Sequence, residues 1–137
     1  MSILQTQTTS FKAELYQAIH DLTTDVLKVA LYTGNADLNE TTTVYTTLNE
    51  VTGGGYVAGG VILTGATVNS SGYTAYVNFN NASFSAAVTA RCALIYNSSK
   101  GNKSIAVLDF GSDKTSSSFT LTMPANTPTT ALIRSSA

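Results

Sequence analysis

Short runs in which apolar and polar residues alternate dominate this chain, with one N-terminal stretch that follows a different period. That stretch places Phe11, Leu15, Ala18, Ile19 and Leu22 along one helical stripe, while Lys12, Glu14, Gln17 and Asp21 fall mostly away from it. Ser10 is a good N-cap ahead of the stripe and Thr23 and Thr24 end it, so the spacing predicts a helix over 11–21. From Asp25 the period becomes two. Residues 25–33 send Leu27, Val29 and Leu31 to one side and Lys28, Ala30 and Tyr32 to the other, a strand with one buried face.

The most apolar segment is TARCALIYNSSKGNKSIAVLDFG, residues 89–111. It reads as a hairpin: an apolar run over 91–96, a polar loop over 97–103 and a second apolar run over 105–110. Ala93 and Ile95 alternate with Cys92, Leu94 and Tyr96, and Ile105 and Val107 alternate with Ala106, Leu108 and Phe110. Both faces of both runs are apolar, so the hairpin is expected at the centre of a sheet covered on both sides, with Ala106 and Leu108 buried.

Around this centre the remaining strands are short. Residues 35–50 are Thr-rich with isolated Leu38, Val44, Tyr45 and Leu48, and predict a surface excursion with little regular structure. TGGGYVAGG at 52–60 is too glycine-rich for a stable strand or helix; it predicts a loop that flexes or admits another backbone. Strands are expected over 61–64, continuing toward Val68, and over 73–79, with a turn at Asn69-Ser70-Ser71-Gly72 between them. Further strands are expected over 82–86, 119–123 and 131–134, with polar loops at 111–118 and 124–130. One helix followed by short strands at regular spacing predicts a mainly β chain, an antiparallel β-sandwich or barrel-like sheet with one N-terminal helix. The domain division is an arm, 1–9, and a single β-rich domain, 10–137.

Composition narrows the class. The 137 residues suffice for one domain with a core of its own. Charged residues make up only 11%, less than half of the usual ~25%, so Thr, Ser, Asn and Gly occupy the surface. A net charge of −1 gives no electrostatic footprint for nucleic acid or an anionic membrane, and no apolar run approaches the ~18 residues of a membrane span. MSILQTQTTS lacks the basic and long apolar regions of a signal peptide, so no secretion is expected. The N-x-[ST] triplets at Asn39, Asn69, Asn81, Asn97 and Asn102 are then chance products of composition.

Candidate chemistry is thin. The single cysteine, Cys92, allows no internal disulfide and reads as a small buried hydrophobe. His20 has no nucleophile motif to serve, and one His with one Cys cannot build a zinc site. Neither residues 53–60 nor SSKGNKS at 98–104 carries the glycine–lysine spacing of a phosphate loop. Asp109 and Asp113 lack the spacing of a calcium loop; Asp109, inside an apolar strand, calls for an ion pair with Arg91 or Arg134. The reading is of a chain that is not an enzyme, with no catalytic, cofactor-binding or metal-binding residues. Contact residues are expected instead: Ile3 and Leu4 on a mobile arm that orders only against a neighbour, Tyr56 as an anchor in the glycine loop, and Tyr45.

Two segments, VLKVALYTGNADLNETTTVYTTLNEVTGGGYVAGG and ARCALIYNSSKGNKSIAVLDFGSDK, taken together resemble a group of small structural proteins of tailed bacteriophages. The likeness extends over about residues 11–134 and is most distinctive over 44–60 and 93–114. It implies a capsid decoration or cement protein that binds and stabilises the assembled head, located in the virion and assembled in the bacterial host cytoplasm. It also implies contacts with the major capsid protein or other virion proteins, homo-oligomers on the particle, and no cofactor, nucleic-acid or membrane partner. A neck or tail component is the alternative within that class. A receptor- or carbohydrate-binding module is the alternative outside it, with Tyr45, Tyr56 and Tyr73 as its aromatic candidates.

Overall fold

The computed structural model describes residues 2–136. In chain order the elements are β1 (Ser2–Ile3), β2 (Thr6–Gln7), α1 (Thr9–Tyr16), β3 (Leu27–Tyr32), β4 (Asp37–Leu38), β5 (Val61–Ile62), β6 (Thr67–Ser71) and β7 (Thr74–Asn78). They continue with β8 (Ala82–Ser83), β9 (Val88–Asn97), a 3-10 turn (Ser98–Lys100), β10 (Lys103–Ser116), β11 (Thr120–Leu121) and β12 (Ile133–Ser136). Among the described residues the fold is mainly β, with antiparallel sheets apart from the parallel pair β1–β4, and one α-helix near the N-terminus.

The main sheet has the order β2-β10-β9-β3-β5, so the β9–β10 hairpin forms its middle. Its loop closes where the sequence places it, with Asn97 opposite Lys103. Alternation along β9 divides the core between the two faces. Ala93 and Ile95 join Leu27, Val29 and Leu31 in a large cluster on one face. Cys92, Leu94 and Tyr96 join Ala30 and Tyr32 in a smaller one on the other. The single buried face expected for residues 25–33 is therefore wrong: Ala30 and Tyr32 are both fully buried.

A second correction concerns β10. Ile105 lies with Ala106 and Leu108 in the large cluster and Val107 lies alone in the other, because the register slips between Ser104 and Ala106. One extra residue in a strand turns a side chain to the opposite face. A larger slip between Asp109 and Lys114, around Gly111 at φ +82°, lets β10 continue to Ser116 through residues read as loop.

The large cluster is capped by a three-stranded sheet, β12-β7-β6, and by the short pair β11–β8, which contribute Val77, Ile133, Ala82 and Leu121, while Phe79, Phe84 and Phe119 come from their flanks. The small cluster is covered by the Thr-rich residues 35–50, which are not a loose excursion. Ala36 and Leu38 are buried, β4 pairs with β1, and Val44 bridges to Lys103. The N-terminal arm belongs to this cover too. β2 pairs with Ala106 and Val107, and Ile3 packs on the small cluster.

The helix is shorter than its stripe suggests. Thr8, not Ser10, is the N-cap, its fully buried hydroxyl accepting from the Phe11 N–H. The helix stops at Tyr16, where Ala18 N–H donates to the Leu15 carbonyl and Ile19 N–H to the Glu14 carbonyl. This two-bond closure needs a left-handed residue, and Ala18 supplies it at φ +59°. Only Phe11 on the helix is buried, and Leu15 and Ala18 are exposed.

The glycine loop resolves toward close approach. A Cβ on Gly54 would stand 1.8 Å from the Ala87 carbonyl oxygen, and one on Gly60 the same distance from that of Val29. Both have positive φ, so no other residue fits either place without moving the main chain.

Candidate functional site

Glu50 organises the buried polar interior. It is 7% exposed and sits beside Tyr32 in an isolated bridge at the end of the main sheet. The Tyr45 hydroxyl donates to its Oε1 at 2.6 Å, the Tyr56 hydroxyl to its Oε2 at 2.6 Å, and the Gly59 N–H to Oε2 at 2.8 Å. Tyr56 also accepts from the Leu31 N–H, Tyr96 donates to the Gly59 carbonyl and Tyr32 to the Thr46 carbonyl. The rings of Tyr45 and Tyr96 stack with centroids 4.6 Å apart. Burial, joined by the Glu50 charge, raises all four phenols, Tyr96 to about 12 and Tyr32, Tyr45 and Tyr56 further. The hydroxyls are thus held protonated as donors, and the assembly is a clamp that fastens residues 45–60 to β3 and β9.

This bears on the expected contact residues. Tyr45 and Tyr56 come together on Glu50 and turn their hydroxyls inward. Tyr56 packs against the large cluster, with its ring 6.2 Å from that of Phe84. Tyr56 is therefore not an outward anchor, because its ring and hydroxyl pack inward, while Thr52, Gly53, Gly54, Gly55, Val57 and Ala58 of the same loop are exposed. Ile3 is half-buried; Leu4 is 48% exposed and its N–H donates to the Leu38 carbonyl. Tyr73, at the tip of the β6–β7 hairpin, is 89% exposed.

A second polar group ties the helix end to the hairpin. Ser99 N–H donates to the Asn97 Oδ1, which fixes the amide so that its nitrogen donates both to His20 Nδ1 at 3.0 Å and to Asp25 at 2.7 Å. His20 must then carry its proton on Nε2, which donates to Glu14 at 2.8 Å. Burial disfavours the Asp25 anion, but bonds from Asn97, the Asp21 N–H and Lys100 outweigh it and hold the carboxyl below its ordinary value. His20 lies beyond the helix rather than on it, and every polar atom of its ring is engaged. Cys92 is fully buried and its thiol is pushed by burial up to about 12, so it behaves as a hydrophobe. Asp109 pairs with Arg91 and accepts from the Gly111 N–H. Among the described residues no group of three or more His, Cys, Asp or Glu is placed to hold a metal ion, and no helix is long and apolar enough to cross a membrane.

The surface best suited to contact lies elsewhere, on the sheet β12-β7-β6. The sequence pattern reads Asn69–Gly72 as a turn, but β6 continues through Ser71, and the turn is only Gly72 and Tyr73. All five residues of β6 are exposed, and among the described residues no strand lies beside its outer edge. On one side of this sheet Tyr76 stands in register between Asn69 and Arg134. The other side runs from the core out to an open groove of about 600 Å³, lined by Leu15, Leu22, Val68, Ala75, Val77 and Ile133 among others. From Val51 through Ala90 no residue carries a charge. That run was the available sequence signal for this face. Such a surface supports neutral hydrogen bonds, main-chain pairing and apolar contact.

No family model matches the chain, and no curated protein or solved structure matches it either.

Proposed function

We propose that this chain is a non-enzymatic structural protein of a bacteriophage virion, a decoration or cement protein that binds the outer capsid surface and stabilises the assembled head. The observation that carries the reading is the exposed, charge-free strand β6 at the outer edge of its sheet, in a chain whose most distinctive segments resemble phage structural proteins. A neutral surface of this kind attaches by hydrogen bonds and apolar contact, with little dependence on salt. The major capsid protein is the partner this reading requires. The sugar-binding alternative loses support, because Tyr45 and Tyr56 turn their hydroxyls to Glu50 and only Tyr73 of its three aromatics stands out in solvent.

The test uses heads assembled without this chain. Purified protein added to them should co-sediment with the heads at both low and high salt, and electron images should place its density on the outer shell. Density confined to the neck or tail would move it to that part of the particle, and absence of binding to any part would defeat the proposal.

A further inference from the structure

We infer that β6 is a dimerisation strand: two copies of this chain pair antiparallel along Thr67–Ser71 and join their three-stranded sheets into one six-stranded sheet. The inference stands on the edge itself and not on the virion reading.

An open edge presents unpaired N–H and C=O groups, and proteins ordinarily blunt it with charge, proline or a bulge. The other long edges of this molecule are treated in that way. β10 beyond β2 is bulged between Asp109 and Lys114 and carries Asp109, Asp113 and Lys114, and Gln5 accepts from the Asp109 N–H. β12 carries Arg134, whose carbonyl accepts from the Gln7 side chain. β6 carries no charge, proline or bulge; only at its first residue does another segment reach it, where the Asn126 amide donates to the Thr67 hydroxyl. Its sequence is TVNSS and its pairing with β7 runs without a slip. At ~3.4 Å per residue it offers an edge about 17 Å long.

The strand is also compatible with itself. About a two-fold axis through Asn69, the Asn69 amides of the two copies face each other, Thr67 faces Ser71 and Val68 faces Ser70. Thr–Ser and amide–amide pairs hydrogen-bond across strands, and no like charges meet. Val68, 56% exposed in the single chain, gains cover from the second copy. With no charge between Val51 and Ala90, this edge offers a charged foreign strand nothing to recognise, whereas an identical neutral strand meets no repulsion.

The experiment measures mass in solution by sedimentation equilibrium for the full chain and two variants at position 69. The unaltered protein should sediment as a dimer. Asn69→Lys places two ammonium groups opposite each other on the axis and should give a monomer that still folds and melts cooperatively, below the dimer only by the stabilisation that association supplies, since the side chain is exposed at an edge. Asn69→Cys should form a disulfide-linked dimer on mild oxidation, because facing residues in an antiparallel pair have Cα atoms ~4.5–5.5 Å apart, within disulfide range. Cys92 is too buried to compete. A monomer at the highest soluble concentration overturns the inference. So does a dimer that survives Asn69→Lys and does not cross-link through Asn69→Cys, which would show pairing by another surface. Binding to heads is scored separately: a monomer that binds heads refutes only the dimer, and a dimer that ignores them refutes only the virion role.

Discussion

At the scale of the residue, Glu50 is the position on which most depends. Its carboxylate takes three donors in a site nearly closed to water, and removing it strands two phenols and the Gly59 N–H. Glu50→Ala should therefore cost about 2–4 kcal/mol, and Tyr56→Phe, which leaves the Leu31 N–H without its acceptor, about 1–2 kcal/mol. Urea unfolding of each variant checks both. A Tyr56→Phe protein as stable as the original would show that the clamp does not hold the glycine loop. The same site sets an alkaline limit. Phenols in an unfolded chain ionise near pH ~10, while these are raised in the fold, Tyr96 to about 12 and the others beyond. The unfolded chain then releases protons first. The stabilisation is complete below pH ~10 and falls as the pH climbs toward the folded values. Melting temperature against pH should decline above ~10, and the decline should be shallower in Tyr96→Phe.

Elements show where sequence patterns succeed and where three-dimensional context overrides them. The β9–β10 hairpin was legible because two faces of apolar residues at period two admit few other readings; β3 was legible as a strand from its alternation, but its second buried face, Ala30 and Tyr32, was not. The helix stripe misled because Leu15, Ala18 and Leu22 keep a helical spacing past a point where the backbone turns left-handed, and alanine carries no mark of that turn. β6 was missed because Asn-Ser-Ser-Gly is turn chemistry in isolation, and pairing with β7 decides otherwise. The clamp was half visible: Tyr45 and Tyr56 stood out as aromatics, but no pattern around Glu50 marks it as the acid the fold buries. The helix end gives a direct prediction. A left-handed backbone costs a residue with a Cβ about 1 kcal/mol, so Ala18→Gly should stabilise the protein by up to that amount. A lowered melting temperature would mean that the Ala18 side chain contributes contacts outweighing the strain.

The whole molecule is a central sheet with two separate covers, and its smaller cover is assembled from segments distant in sequence. Residues 35–50 lie over Tyr32, Leu94 and Tyr96, and the N-terminal arm closes the remainder, with Ile3 on the small cluster and β1 against β4. The arm lacked any pattern that would fold alone, which is why it reads as a free tail, yet many separate bonds fasten it to the domain. β2 pairs with β10, the Thr9 N–H donates to the Glu40 carbonyl, and Thr8 caps the helix while its hydroxyl meets Ser104 at 2.9 Å. A chain beginning at Ser10 loses all of this at once. The cap alone is worth about 1 kcal/mol, the partial burial of Ile3 about as much, and the Ile105 carbonyl and the β10 edge are left with unmet hydrogen bonds. The truncated protein should be less stable than the full chain by about 3 kcal/mol or more, with Thr8→Ala accounting for about 1–2 kcal/mol of that. Equal melting temperatures for the full and truncated chains would show that the arm rests on the domain without supporting it. In that case its residues would be free to leave the small cluster and pair with a neighbouring subunit.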